Sequence, residues 1–139
     1  MTSLRSLAEL SGRILLMALF LISGVGKITA YAATAGYMAA AGVPGALLPL
    51  VIVVEIFGAL AIILGWRTRL VALLMLAYTL ATAMLFHTNF ADQIETVMFL
   101  KNLSIAGALL MLAVNGPGPL SLDARKAHRR RDAIATAPS

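Results

Sequence analysis

Hydrophobic residues along this chain fall into four blocks separated by short polar or turn-forming stretches, and the blocks are paced for bilayer crossings. The second block is the most informative. Ala46–Leu64 reads ALLPLVIVVEIFGALAIIL, nineteen residues with one charge, Glu55, at the tenth position. At about 1.5 Å per residue, such a helix reaches roughly 28 Å, close to the thickness of a bilayer's hydrocarbon core. That places the carboxyl group near the midplane. An ionisable group there costs roughly 2.5–3.5 kcal/mol on insertion scales, so Glu55 is expected to face protein or water and to have a partner.

The remaining blocks are read in order. Met1–Ser11 is a short polar lead-in carrying Arg5 and Glu9. Ile14–Gly26 is too short to span, but Arg13 and Lys27 at its ends can snorkel to the headgroups, which predicts a helix from about Leu7 to Ile28. A cleaved leader ending at Ala30-Tyr31-Ala32 is the alternative; against it, Lys27 falls late and the run continues into a four-span pattern. Ile28–Gly45 is uncharged and Ala-rich, which predicts a short interfacial helix over Ala32–Ala41, with Tyr37 in the aromatic belt and Gly42 at its C-terminus. Gly65–Arg69 is a tight turn with Trp66 as an anchor, and Leu70–Phe86 is the third span. His87–Glu95 is a polar loop, and the fourth span covers about Thr96–Val114, with Lys101 and Asn102 near its start. Gly116-Pro117-Gly118 ends it, and a basic tail follows, expected to be disordered from Asp132. The predicted fold is all-α, a four-transmembrane-helix up-down bundle with a short interfacial segment between the first two spans. It divides into an N-terminal segment (1–10), a membrane domain (11–118) and a tail (119–139).

Composition supports this class. Of 139 residues, 60% are apolar and 12% charged, too few charges to clothe a soluble domain of this size. There is no cysteine, which excludes dithiol redox chemistry, thiolate metal sites and disulfides. The net charge of +5 is unevenly placed. Arg5, Arg13, Arg67, Arg69, Arg125, Lys126, Arg129, Arg130 and Arg131 fall on one side of the four-span topology, and only Lys27 and Lys101 on the other. The positive-inside rule then puts both termini in the cytoplasm. Trp66, Arg67, Arg69 and the tail cations Arg125, Lys126, Arg129, Arg130 and Arg131 form the expected membrane-surface set. Beside a span, the tail is expected to attract anionic inner-leaflet lipid, at about 1 kcal/mol per cation, rather than nucleic acid.

Candidate chemistry collects in the half of the bundle away from the termini. Lys27 ends the first span, Glu55 lies mid-depth in the second, His87 ends the third, and Lys101 and Asn102 lie near the start of the fourth. One reading is a polar cavity in which Glu55 pairs with Lys27 or Lys101, leaving the second cation, His87 and Asn102 for an anionic or carbonyl-bearing ligand. The other is a buried ion pair that fixes helix register, with the second lysine snorkelling and His87 wetted in a loop. Gly24, Gly26, Gly58, Ala59, Ala106 and Gly107 are expected to let backbones approach, with Arg13 a structural polar residue. Ser and Thr in the spans are expected to be interhelical hydrogen-bond donors rather than nucleophiles. No carboxylate cluster suited to a metal is visible.

Taken together, several of these residues resemble the DoxX family of small bacterial membrane proteins. The elements are Gly12-Arg13, Phe20, Ser23-Gly24 and Lys27, then Met38…Gly42-x-Pro44, Glu55 with Gly58, and Gly65 followed by basic residues. His87, Phe99-x-Lys101-Asn102 with Gly107, and Gly116-Pro117-Gly118-x-x-Ser121-Leu122-Asp123 complete the pattern over about residues 10–123. The resemblance implies a four-helix protein of the bacterial inner membrane. It further implies an association with quinone-linked redox, including subunits of thiosulfate:quinone oxidoreductase, and with membrane complexes that answer oxidative stress. The polar positions it implies are Arg13, Lys27, Glu55, His87, Lys101 and Asn102. Three functions compete: a subunit that binds a quinone or similar ligand and works with redox partner proteins, a small proton-coupled transporter, and a structural or assembly protein. Without cysteine and at this length, a complete oxidoreductase is not expected, and a homo-oligomer is left open.

Overall fold

The computed structural model describes residues 3–136. It consists of helices α1 (Leu4–Thr29), α2 (Tyr31–Ala40), α3 (Leu48–Leu64), α4 (Thr68–Phe86), α5 (Gln93–Asn115) and α6 (Leu122–Ala135), with one 3-10 turn at Gly45–Leu47 leading into α3. No strand occurs among the described residues. Four of the helices, α1, α3 with its leading turn, α4 and α5, are long and apolar enough to cross a membrane. They run up and down, and the closest packing joins α1 to α3 and α4 to α5.

The packing is that of a protein whose solvent is lipid. Leu15, Ile22, Phe57, Leu74 and Met111 are all more than half exposed, one or more on each span. The small buried core, Met17, Phe20, Ala59, Ile62, Ala72, Met75, Leu109 and Ala113, is rich in Ala and Met. Small side chains bring the backbones close, and unbranched Met fills the gaps between them. Gly24 lies against Ile56, where an added Cβ would come within 2.7 Å, and Gly58 lies against Met75. Gly26 and Gly107 have nothing within 4 Å, so the expectation that they admit neighbouring backbones does not hold within this chain. The span hydroxyls also differ from expectation: Thr79, Thr82 and Ser104 bond back to the carbonyls of Met75, Tyr78 and Leu100 in their own helices. A Ser or Thr hydroxyl reaches the carbonyl one turn back in its own helix and shares it with the backbone N–H, so it is satisfied without a neighbouring helix.

At the end carrying the termini, two arginines cap helices that are not their own. Arg13, only 2% exposed, donates to the carbonyls of Ile62 (3.0 Å), Ile63 and Leu120. Arg69 donates to Val114 (2.8 Å) and Ala113 (3.4 Å) at the end of α5. The last carbonyls of a helix lack intrahelical partners and carry the negative end of its dipole, so a guanidinium fork suits them. Arg13 therefore does not snorkel, and Arg69, though exposed, is committed to a helix end. The joint between α3 and α4 is locked in the same region. Gly65 takes φ +71° and Arg67 φ +46°. The Asp123 carboxylate accepts from the N–H groups of Arg67 and Thr68 and from the Thr68 hydroxyl, each at 2.8 Å. Asp123 thus caps α4 from a distant part of the chain. Burial works to raise its pKa, but these hydrogen bonds, helped by Lys126, override it and hold the carboxyl below the usual 3.8.

Two boundaries depart from the sequence reading. The lead-in over Met1–Ser11 is helical from Leu4, capped by the Ser3 hydroxyl on the Ser6 N–H, and α1 runs unbroken past Lys27 to Thr29. The tail is helical as far as Ala135, so Asp132–Ala135, expected to be disordered, is ordered; residues 137–139 lie outside the described residues.

Candidate functional site

The other end of the bundle holds a cavity of about 410 Å³. Its walls are apolar, with Phe20, Met38, Val54 and Phe86 among them, and its polar lining includes Lys27, Glu55, Tyr78, His87, Lys101 and Asn102. The volume falls in the range of small-molecule sites, as does the mix of apolar wall and few polar groups. All five residues picked out as ligand candidates from the sequence therefore line one space.

Helix geometry explains how its central pair meets. Lys27 lies in the last turn of α1, whereas Glu55 is the eighth of the seventeen residues of α3. Side chains tilt toward the N-terminus of their own helix. In this antiparallel pair, Lys27 leans inward along α1 and Glu55 leans outward along α3, so the two converge. Lys27 Nζ lies 3.0 Å from Glu55 Oε2 and also donates to Ser23 Oγ one turn back on α1. The close approach at Gly24 brings the α1 backbone to the Glu55 Cβ and lets the lysine reach without stretching. Glu55 is 4% exposed. Its other oxygen accepts from the Tyr78 hydroxyl at 2.6 Å. Both carboxylate oxygens are thus engaged, one by a cation and one by a phenol, which is how a charge survives burial.

Tyr78 is the residue the sequence reading missed. The sequence reading places Tyr37 in the interfacial belt and gives Tyr78 no role, yet Tyr78 is the eleventh of nineteen residues in α4, far from either end. A buried phenol needs a partner for its O–H. A mid-span tyrosine beside a chain with one mid-span carboxylate was the available signal. Its ring sits 6.5 Å from that of Phe20, closing the cavity floor.

The rim is built differently from expectation. Lys101 does not reach Glu55; it is exposed and its Nζ rests 3.0 Å from the Met98 sulfur. His87 is not free, because its Nδ1 lies 2.8 Å from Glu95 Oε2. That contact leaves Nε2 as the ring atom available to the cavity. Helix α2 folds over this end: Met38 is buried, and Tyr37 stacks on Phe86 with centroids 5.5 Å apart. Burial first, and the Glu95 charge second, push the Tyr37 phenol above its ordinary pKa, so it stays protonated. The turn back toward α3 uses Gly42 at φ +80°, with the Val43 N–H donating to the Met38 carbonyl at 2.9 Å.

Asn102 completes the site. It is 8% exposed and lines the cavity, yet its amide makes no side-chain hydrogen bond among the described residues. The Asn102 amide is not among the buried unpartnered polar atoms of the described residues; it stays accessible from the cavity and has donors and an acceptor to offer to an occupant. The arrangement can hold a mainly apolar molecule with carbonyl or hydroxyl oxygens, oriented by Asn102 and held near a paired carboxylate. No group of three or more His, Asp or Glu side chains suited to a metal is gathered among the described residues.

Comparison with known proteins gives the following. A sequence model of the DoxX family matches residues 8–88. The chain is 51% identical over 123 residues to inner membrane protein YqjF of Escherichia coli K12, covering 88% of this chain and 95% of that one. It is 41% identical over 128 residues to inner membrane protein YphA of the same organism, covering 87% and 91%. No solved structure matches.

Proposed function

The chain belongs to the DoxX family of integral inner-membrane proteins, and from that premise we propose that its cavity binds a small apolar molecule bearing carbonyl oxygens, of the quinone class, as the small subunit or accessory of a quinone-linked redox or oxidative-stress membrane complex. The observation that carries this reading is the unpaired Asn102 amide facing a space with apolar walls. An amide N–H donates to a quinone carbonyl, and the same amide oxygen accepts from the hydroxyl of the reduced form. Lys101 and the free nitrogen of His87 add donors at the rim. Glu55, held between Lys27 and Tyr78, lies where protons coupled to ligand reduction would have to be handled. In this reading the electrons are supplied by a redox partner protein, the chain having no cysteine to relay them.

Both termini are taken to lie in the cytoplasm, so the cavity opens toward the outer face. Support comes from the nine-to-two distribution of Lys and Arg between the bundle ends. Reporter fusions at the C-terminus and in the His87–Glu95 loop test this directly.

Binding is tested with the purified protein and a short-chain quinone, alongside Asn102→Leu, Lys101→Met and Glu55→Gln. Weaker binding in the variants is expected. Equal affinity in all three removes the site. A second reading, that the polar cluster serves packing alone, is favoured by the full pairing of Glu55, whose two oxygens are satisfied without any ligand. Under that reading Glu55→Gln alters stability and leaves every redox phenotype in place.

A further inference from the structure

Helix α6 carries a concentration of charge that nothing in the fold covers. None of the residues Leu122–Ala135 is buried. The helix is nevertheless fixed at its start: the Asp123 carboxylate caps α4, and the Asp123 N–H donates to the Gly65 carbonyl at 2.9 Å. Beyond that first turn the helix runs free of the bundle.

Such a helix has two deficits. Fourteen residues without tertiary packing are marginal as a helix in water. Its cations also repel one another. At 100° per residue, Arg125, Lys126, Arg129 and Arg130 fall within an arc of about 140°. They form two like-charge pairs at i,i+4 spacing, Arg125 with Arg129 and Lys126 with Arg130, and each such pair disfavours the helix. Asp132, three residues after Arg129, offsets part of this, and Arg131 and His128 point elsewhere on the wheel. A facing array of negative charge removes both deficits together: it neutralises the arc and gives the helix a surface to lie on.

The position of α6 identifies the source of that charge. Its start is pinned to the Gly65–Thr68 turn, where one membrane span ends and the next begins, and so lies at headgroup level, within the Debye length of about 8 Å over which surface charge acts. We propose that α6 is a membrane-surface helix whose Arg125, Lys126, Arg129 and Arg130 face docks on anionic lipid headgroups of the leaflet at the terminal end of the bundle. The proposal is independent of the cavity and of any ligand in it.

The test uses the full chain in nanodiscs of phosphatidylcholine alone and of phosphatidylcholine mixed with phosphatidylglycerol, with amide hydrogen exchange followed over residues 126–135. Exchange at least about tenfold slower in the anionic discs is expected, fading as salt is added. The combined variant Arg125→Gln, Arg129→Gln, Arg130→Gln, which leaves Lys126 beside Asp123, should lose most of the difference while the bundle melts at an unchanged temperature. Equal exchange in the two discs overturns the proposal. So does protection that appears only when an RNA or an acidic polypeptide is added to neutral discs, since that assigns the face to a macromolecule.

Discussion

Tyr78 donates its hydroxyl proton to the Glu55 carboxylate across 2.6 Å, from the middle of one membrane span to the middle of another. With Lys27 on the second carboxylate oxygen at 3.0 Å, this contact turns an isolated midspan charge into a bridge among α1, α3 and α4. Tyr78→Phe keeps the ring against Phe20 and removes one hydrogen bond to a charged acceptor, so it should destabilise the bundle by about 1.5–3 kcal/mol. Lys27→Met leaves the buried carboxylate without a cation and should cost about 3–5 kcal/mol. Adding Glu55→Gln to Lys27→Met should recover part of that loss. Unfolding of the variants in one detergent checks the order; a Lys27→Met protein as stable as the unaltered chain would mean that the pair contributes no net stability.

Arg13 should tolerate even lysine poorly. Its guanidinium bonds three carbonyls from two separate chain segments, Ile62 and Ile63 at the end of α3 and Leu120 before α6. An ammonium cannot reproduce that planar fork. Arg13→Lys should lower stability by about 1–3 kcal/mol, the range for leaving buried carbonyls unsatisfied. A Tm unchanged by the substitution would show that water replaces the fork.

These two cases mark what was legible in the sequence. The four spans, α2 and the central carboxylate could be read directly, because bilayer thickness fixes the length of an apolar run and penalises a charge inside it. That Lys27 rather than Lys101 pairs with Glu55 could not, since it depends on the tilt of side chains in an antiparallel helix pair. Arg13 and Arg69 sit at span ends, where a cation reads as snorkelling. Their true partners are carbonyls at the ends of other helices, about 50 and 45 residues away, and sequence proximity carries no trace of that. Asp123 belongs to the Gly116–Asp123 pattern of the sequence, but its role as the cap of α4 appears only once the two turns meet.

Asp123 also gives a pH dependence with a definite sign. Its folded pKa lies below the usual 3.8, held there by Thr68 and Arg67 against the opposing effect of burial. A carboxyl depressed on folding contributes stability above its unfolded pKa and loses it as pH falls through the folded value. The Tm of the protein should therefore fall on acidification below about pH 4. Asp123→Asn should start lower at neutral pH and show a shallower fall. Parallel curves for the two proteins would show that other carboxyls account for the acid limb.

Glycines should separate into two groups. Gly65 combines φ +71° with a Cβ position that runs into Ser121, so Gly65→Ala should destabilise by at least the roughly 1–2 kcal/mol of left-handed strain. Gly107 is helical with open space around it, so Gly107→Ala should stabilise the monomer by about 0.5–1 kcal/mol through reduced backbone entropy in the unfolded chain. Loss of a larger species on gel filtration of the Gly107→Ala protein would instead show that this open face is covered by a second copy.

Asn102 offers the sharpest separation of ligand binding from packing, because the residue is 8% exposed and lines the cavity while its side chain makes no hydrogen bond among the described residues. Leucine keeps the same branching of heavy atoms, is bulkier on the side where the cavity gives it room, and carries no polar group to desolvate. If Asn102 serves packing alone, Asn102→Leu should be neutral or stabilising, and nothing else should change. If the amide meets an occupant's oxygen, the same variant should keep or gain stability while binding a carbonyl-bearing ligand roughly tenfold or more weakly, the effect of losing one buried hydrogen bond of about 1.4 kcal/mol. Tm and quinone affinity measured on one preparation decide between these outcomes. A variant with raised Tm and unaltered affinity would leave the cavity without its orienting group, and the reading built on it would fail.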